Sequence, residues 1–177
     1  MRIKHAVGAL SLCTVALAGA TPPPQAVVDG CLAAKAKPGT RMIIVPTAES
    51  IEDDDYKLGF RADFYRFRNI EIGYAQRGRR ADNDDIEDDA LLYAGVLYPL
   101  KNAIQPDSRG EPLPRIDVNL SDWLLFATGS TRYLCVSSNF GGLGRSGAHQ
   151  NIRFAYLLSL GSRRRLYWFV GDASAPR

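Results

Sequence analysis

The polar and apolar positions of this chain repeat mostly every second residue, the period of a half-buried strand. From Tyr56 the alternation is regular. Tyr56, Leu58, Phe60, Ala62 and Phe64 fall on one face, against Lys57, Gly59, Arg61 and Asp63 on the other. Ile70, Ile72 and Tyr74 resume the period after Asn69, which predicts two strands or one long bent strand. Four runs in the C-terminal third also read as strands: Trp123 to Ala127, Tyr133 to Ser137, Ile152 to Leu160 and Leu166 to Val170. Thr128-Gly129-Ser130 and Gly161-Ser162-Arg163 have the composition of hairpin turns between them. Ile152, Phe154, Tyr156, Leu158 and Leu160 make one continuous apolar face. Arg41 to Val45, a short apolar run before Pro46, suits a buried strand.

One stretch departs from this period. Ile86, Ala90, Tyr93, Ala94 and Leu97 recur at helical spacing, behind Asp82, Asp84 and Asp85. Carboxylates there would face the positive end of a helix dipole, so a helix is predicted over about 84–98, ended by Pro99. Cys31-Leu32-Ala33-Ala34 fits a second, short helix, stopped by Pro38-Gly39. Pro106, Gly110, Pro112 and Pro114 mark a loop. These patterns predict a single α+β domain over 29–177, a mainly antiparallel sheet with one principal helix at about 84–98.

The first twenty residues follow a different rule. Arg2, Lys4 and His5 are basic, Ala6 to Leu17 is an uncharged apolar run, and Ala18-Gly19-Ala20 has the small residues of a cleavage site. That is the form of a signal peptide over 1–20, followed by a proline-rich linker over 21–28. The apolar run is short for a membrane span, and Pro22-Pro23-Pro24 follows directly. The expectation is a periplasmic or secreted protein with no integral membrane segment after cleavage.

Cleavage changes the inventory. Cys13 leaves with the signal, so Cys31 and Cys135 remain, and an oxidising compartment predicts one disulfide between them. His149 becomes the only histidine, which excludes zinc sites built on clustered His and Cys. Loss of Arg2 and Lys4 takes the formal net charge from +3 to +1, which removes the argument for a nucleic-acid partner. No cofactor and no metal are predicted.

The most unusual segment is Asn139 to Asn151. It holds a formal G-x-G-x-x-G, Gly142 to Gly147, but a strand pattern follows where a dinucleotide fold needs a helix. Its glycines let backbone amides face outward, beside Asn139, Arg145, Ser146, His149 and Gln150. These five residues are the predicted binding surface, and no catalytic residue is assigned. The expected function is a non-enzymatic exported binding protein, of an inhibitor or immunity type, engaging a protein partner. One alternative is an envelope hydrolase using Ser146 or a carboxylate with His149. Another is a calcium-stabilised structural module built on Asp82 to Asp89 and Asp53 to Asp55. Glu71, between Ile70 and Ile72, is the nearest case of a carboxylate in an apolar context. Two basic turns, around Arg77, Arg79 and Arg80 and around Arg163 to Arg165, are further candidates for docking an acidic partner or an anionic envelope surface.

Overall fold

The computed structural model describes residues 22–47, 49–78, 88–106, 120–139 and 152–172. The order of elements is α1 (Gln25–Leu32), β1 (Arg41–Ile44), β2 (Ile51–Lys57), β3 (Phe60–Phe67), β4 (Ile70–Arg77), β5 (Asp88–Tyr93) and β6 (Val96–Pro99). A 3-10 turn at Leu100–Asn102 follows, then β7 (Asp122–Thr128), β8 (Thr131–Asn139), β9 (Ile152–Ser159) and β10 (Leu166–Asp172). The strands form two five-stranded antiparallel sheets, one ordered β2-β3-β4-β5-β6 and the other β1-β7-β8-β9-β10.

Three tight turns build the first sheet. Lys57 pairs with Phe60, Phe67 with Ile70 and Tyr93 with Val96, leaving two residues in each connection. Leu58-Gly59, Arg68-Asn69 and Ala94-Gly95 all have positive φ, as the type I′ turn requires to match the twist of its strands. Glycine takes that conformation freely at positions 59 and 95, whereas Leu58 and Ala94 hold a Cβ against the backbone there.

The two sheets pack face to face. Tyr65, Ile72, Tyr74 and Leu91 of the first share one buried cluster with Trp123, Leu134, Val136, Tyr156, Leu158 and Trp168 of the second. Tyr65 meets Trp123 edge-on, with ring centroids 6.1 Å apart. The apolar face expected on β9 is this inward one, since Phe154, Tyr156 and Leu158 belong to the cluster and Leu160 packs against it.

The second sheet is covered on its other face as well. Val27, Val28, Cys31 and Leu32 of α1 lie against Leu124, Phe126, Leu157, Tyr167 and Phe169. The expected bridge joins Cys31 to Cys135, with Cα atoms 5.9 Å apart, and so ties α1 to β8. Gly30 lets the helix come this close: a Cβ there would lie 2.9 Å from Cε1 of Phe126. An eight-residue helix has little stability of its own, so these contacts hold it.

The fold class is the expected one, a mainly antiparallel α+β domain, but its helix is elsewhere. Within the described part of the helix predicted over about 84–98, Asp88–Tyr93 and Val96–Pro99 are instead strands of a hairpin. Leu91 is buried between the sheets, and Ala90 and Leu92 are buried on the opposite face beside Phe60, Ala62 and Phe64. A strand apolar on both faces loses its alternation and can imitate a helix. The linker expected over 21–28 is helical from Gln25, with Val27 and Val28 buried. Pro24 precedes the first helical residue, where a missing N–H costs nothing and a fixed φ helps.

Leu58 is 81% exposed at φ +54°, so its side chain packs on little and its backbone is strained. Leu58→Asn should relieve part of the roughly 1–2 kcal/mol that the left-handed region costs an ordinary residue. A gain of about 1 kcal/mol would raise the melting temperature by about 2–4 °C. An unchanged or lower melting temperature would show that the turn carries no such strain.

Candidate functional site

Arg145, Ser146, His149 and Gln150 lie outside the described residues, and Asn139 is the last residue of β8. What the structure gives is the base on which this segment is mounted. β8 and β9 stay paired from Tyr133–Ser159 to Asn139–Arg153, so residues 140–151 join two strands of one hairpin. Two side-chain contacts fasten that end. Arg153 Nη2 donates to Asp122 Oδ2 across to β7, and the Ser121 and Ser138 hydroxyls share a hydrogen bond. The Arg153 side chain is largely buried, which keeps its charge pair partly out of water.

A polar group lies further along, between the sheets. The Tyr74 hydroxyl donates to Asp89 Oδ2 at 3.3 Å. Burial pushes the Tyr156 phenol well above the usual tyrosine range, and the charge of Asp89 and then Tyr74 add to the shift. On the outward face of the first sheet, the Tyr56 hydroxyl donates to Glu71 Oε2 at 2.7 Å. Burial raises Tyr56 first, and the hydrogen bond to Glu71 second. Arg66 approaches the same carboxylate at 4.0 Å, so Glu71 holds a surface network together.

The acidic segments are also engaged. Asp88 receives hydrogen bonds from Lys101 and Arg77, which in that order hold its carboxyl below the usual range. Asp53 Oδ1 accepts from the Asp55 backbone N–H at 3.1 Å, and Asp54 lies 3.5 Å from Arg61 Nε. Asp82 to Glu87 lie outside the described residues. Among the described residues no three His, Cys, Asp or Glu side chains come together as a metal site.

Of the two basic turns, Arg79 and Arg80 lie outside the described residues and Arg77 is joined to Asp88. The other turn forms a distinct arrangement. Arg164 Nη1 donates to the Tyr98 hydroxyl at 2.8 Å, and its guanidinium sits 5.4 Å from the centre of the Tyr93 ring. The hydrogen bond to Tyr98 is the main reason that Arg164 holds its charge more firmly than usual. A cleft of about 280 Å³ opens beside it, lined by Tyr98, Asn102, Ile104, Arg164 and Leu166. No protein-family model, curated protein or solved structure matches this chain.

The sequence pointed to Arg164 through its basic turn but missed Tyr93 and Tyr98, which the helical reading put on a different element. Their partnership joins residues 66 apart, and no local pattern announces it.

A raised tyrosine pKa means that the folded state holds the proton more tightly than the unfolded chain does. Its stabilising contribution is full below the unfolded value of 10.0 and is lost as pH rises above it. Tyr156→Phe removes this group, so the gap in melting temperature between wild type and variant should narrow between pH 9 and 11. Parallel curves across that window would contradict the burial of this phenol against Asp89.

Proposed function

We propose that this chain is an exported, non-enzymatic binding protein that engages a protein partner through residues 139–151. The supporting observation is the base of that segment. The β8–β9 hairpin is paired to its last residues, and Arg153–Asp122 and Ser121–Ser138 fasten it there. The two strand ends from which the segment departs are therefore held in register.

Asn139, Arg145, Ser146, His149 and Gln150 are the proposed contacts, with guanidinium, hydroxyl, imidazole and amide groups for a polar partner surface. Export rests on the form of residues 1–20, and the Cys31–Cys135 bridge accords with a periplasmic or secreted location. No helix among the described residues is long and apolar enough to cross a membrane. An inhibitor or immunity-type role is the specific form proposed, because a small scaffold held by one disulfide suits blocking another protein's surface.

The test separates binding from folding. Arg145→Ala with His149→Ala should cost no more than about 0.5–1 kcal/mol of stability, as surface substitutions do. The same pair should abolish capture of the partner from an envelope extract by the immobilised chain. Leu158→Ala, fully buried between the sheets, is the folding control and should cost about 2–5 kcal/mol. Full capture by a normally folded double variant would place the interface elsewhere. Hydrolytic turnover lost with Ser146→Ala would establish the enzymatic reading instead.

A further inference from the structure

The far end of the same hairpin carries a second surface. Arg41 pairs with Ala127 across β1 and β7, and Ala127 pairs with Arg132 across β7 and β8. The Leu160 backbone N–H bonds to the Arg132 carbonyl oxygen, and Ser159 is joined in the same way to Arg165. One row therefore runs across the second sheet through Arg41, Ala127, Arg132, Leu160 and Arg164. By register it lies on the face that carries Trp123, Leu134 and Leu158. It runs along the edge of the core, where Leu160 packs against the buried cluster, and Arg41, Arg132 and Arg164 are all exposed.

The row reads Arg, Ala, Arg, Leu, Arg, with the cations two strands apart. Strand spacing puts successive arginine positions roughly 10 Å from one another. Among the described residues none of the three meets a carboxylate, although five other cations of the chain do. On the first sheet, Asp88 is engaged by Arg77 and Lys101, and Glu71 by Tyr56 on the outward face. Arg164 is also fixed in place, by the Tyr98 hydroxyl and the Tyr93 ring, beside the cleft lined by Ile104 and Leu166.

We propose that this arginine row and its cleft dock an acidic, extended segment of a protein partner. Guanidinium forks match carboxylates in a bidentate, planar way, and three of them in line suit a chain lying across the strands. The cleft beside Arg164 would take an apolar or aromatic side chain of that segment, since Tyr98, Pro99, Ile104 and Leu166 are among its lining residues. A line of charges ending in a cleft fits a chain better than it fits the flat surface of a bilayer. The arginine row stands as a surface whether or not residues 139–151 bind a partner.

The test uses the full exported chain and two fluorescent peptides, one rich in Glu and Phe and the other with Gln in place of each Glu. Fluorescence anisotropy should show binding of the acidic peptide only, weakening as salt shortens the screening length from about 30 to about 8 Å. Arg41→Gln, Arg132→Gln and Arg164→Gln together should weaken binding at least about tenfold with an unchanged melting curve. Arg41→Glu alone, at an exposed strand end, provides a second variant should the triple one fold poorly, and should weaken binding about two- to fivefold. Tyr98→Phe should weaken it less than loss of Arg164, by freeing the guanidinium. Equal binding of both peptides, or undiminished binding by the folded variants, overturns the proposal. Binding to phosphatidylglycerol vesicles with no binding to the acidic peptide also overturns it and assigns the row to a membrane surface.

Discussion

Burial of β8 and β9 on both faces is the constraint on which the rest of this structure depends. Leu134, Val136, Tyr156 and Leu158 face the first sheet, while Cys135, Ala155 and Leu157 face α1. A sheet apolar on both sides needs a cover on each. The first sheet is one cover. The other is a helix of eight residues whose isolated stability is negligible. The Cys31–Cys135 bridge resolves this by closing a loop across 104 positions, worth about 4.7 kcal/mol on a chain-entropy model. That is comparable with the entire stability of many domains, about 5–15 kcal/mol. Burial of Val27, Val28 and Leu32 adds about 1.5–3 kcal/mol each as an upper estimate.

From this constraint follows the way in which the β8–β9 hairpin presents its two ends. Its side chains from Tyr133 to Ser138 and from Phe154 to Leu158 are buried, so its exposed polar groups lie toward the rims. One rim joins residues 140–151 and is closed by the Arg153–Asp122 pair and the Ser121–Ser138 bond. The other carries Arg41, Arg132 and Arg164 with no carboxylate partner among the described residues. Such a scaffold holds the strand ends at the two rims at a fixed separation.

The legibility of the sequence tracks how each strand is buried. β3 keeps a period of two, because Arg61 and Asp63 are only half-buried between the fully buried Phe60, Ala62 and Phe64, but the same period ran on through Leu58, which lies in an exposed turn and divides β2 from β3. β5 failed because Ala90, Leu91 and Leu92 are all fully buried, on alternating faces that both pack. Its turn gave little warning, since Ala94 is an unusual residue for a left-handed position and only Gly95 marked the break. The start of α1 was hidden for the opposite reason: Cys31-Leu32 read as helical, but Pro22 to Pro24 suggest an extended linker, whereas Pro24 stands at the helix entrance. The disulfide was legible by counting alone. The Arg164–Tyr98–Tyr93 assembly was not, because it depends on how the two sheets meet.

The central claim, that α1 is an integral layer of the second sheet and not a tether leading to it, is open to native-state amide hydrogen exchange. In the oxidised protein the amides of Asp29 to Ala33 should exchange as slowly as those of Leu134 to Val136 on β8, opening only with the whole sheet. Fast, loop-like exchange of Asp29 to Ala33, with β8 and β9 still protected, would contradict it.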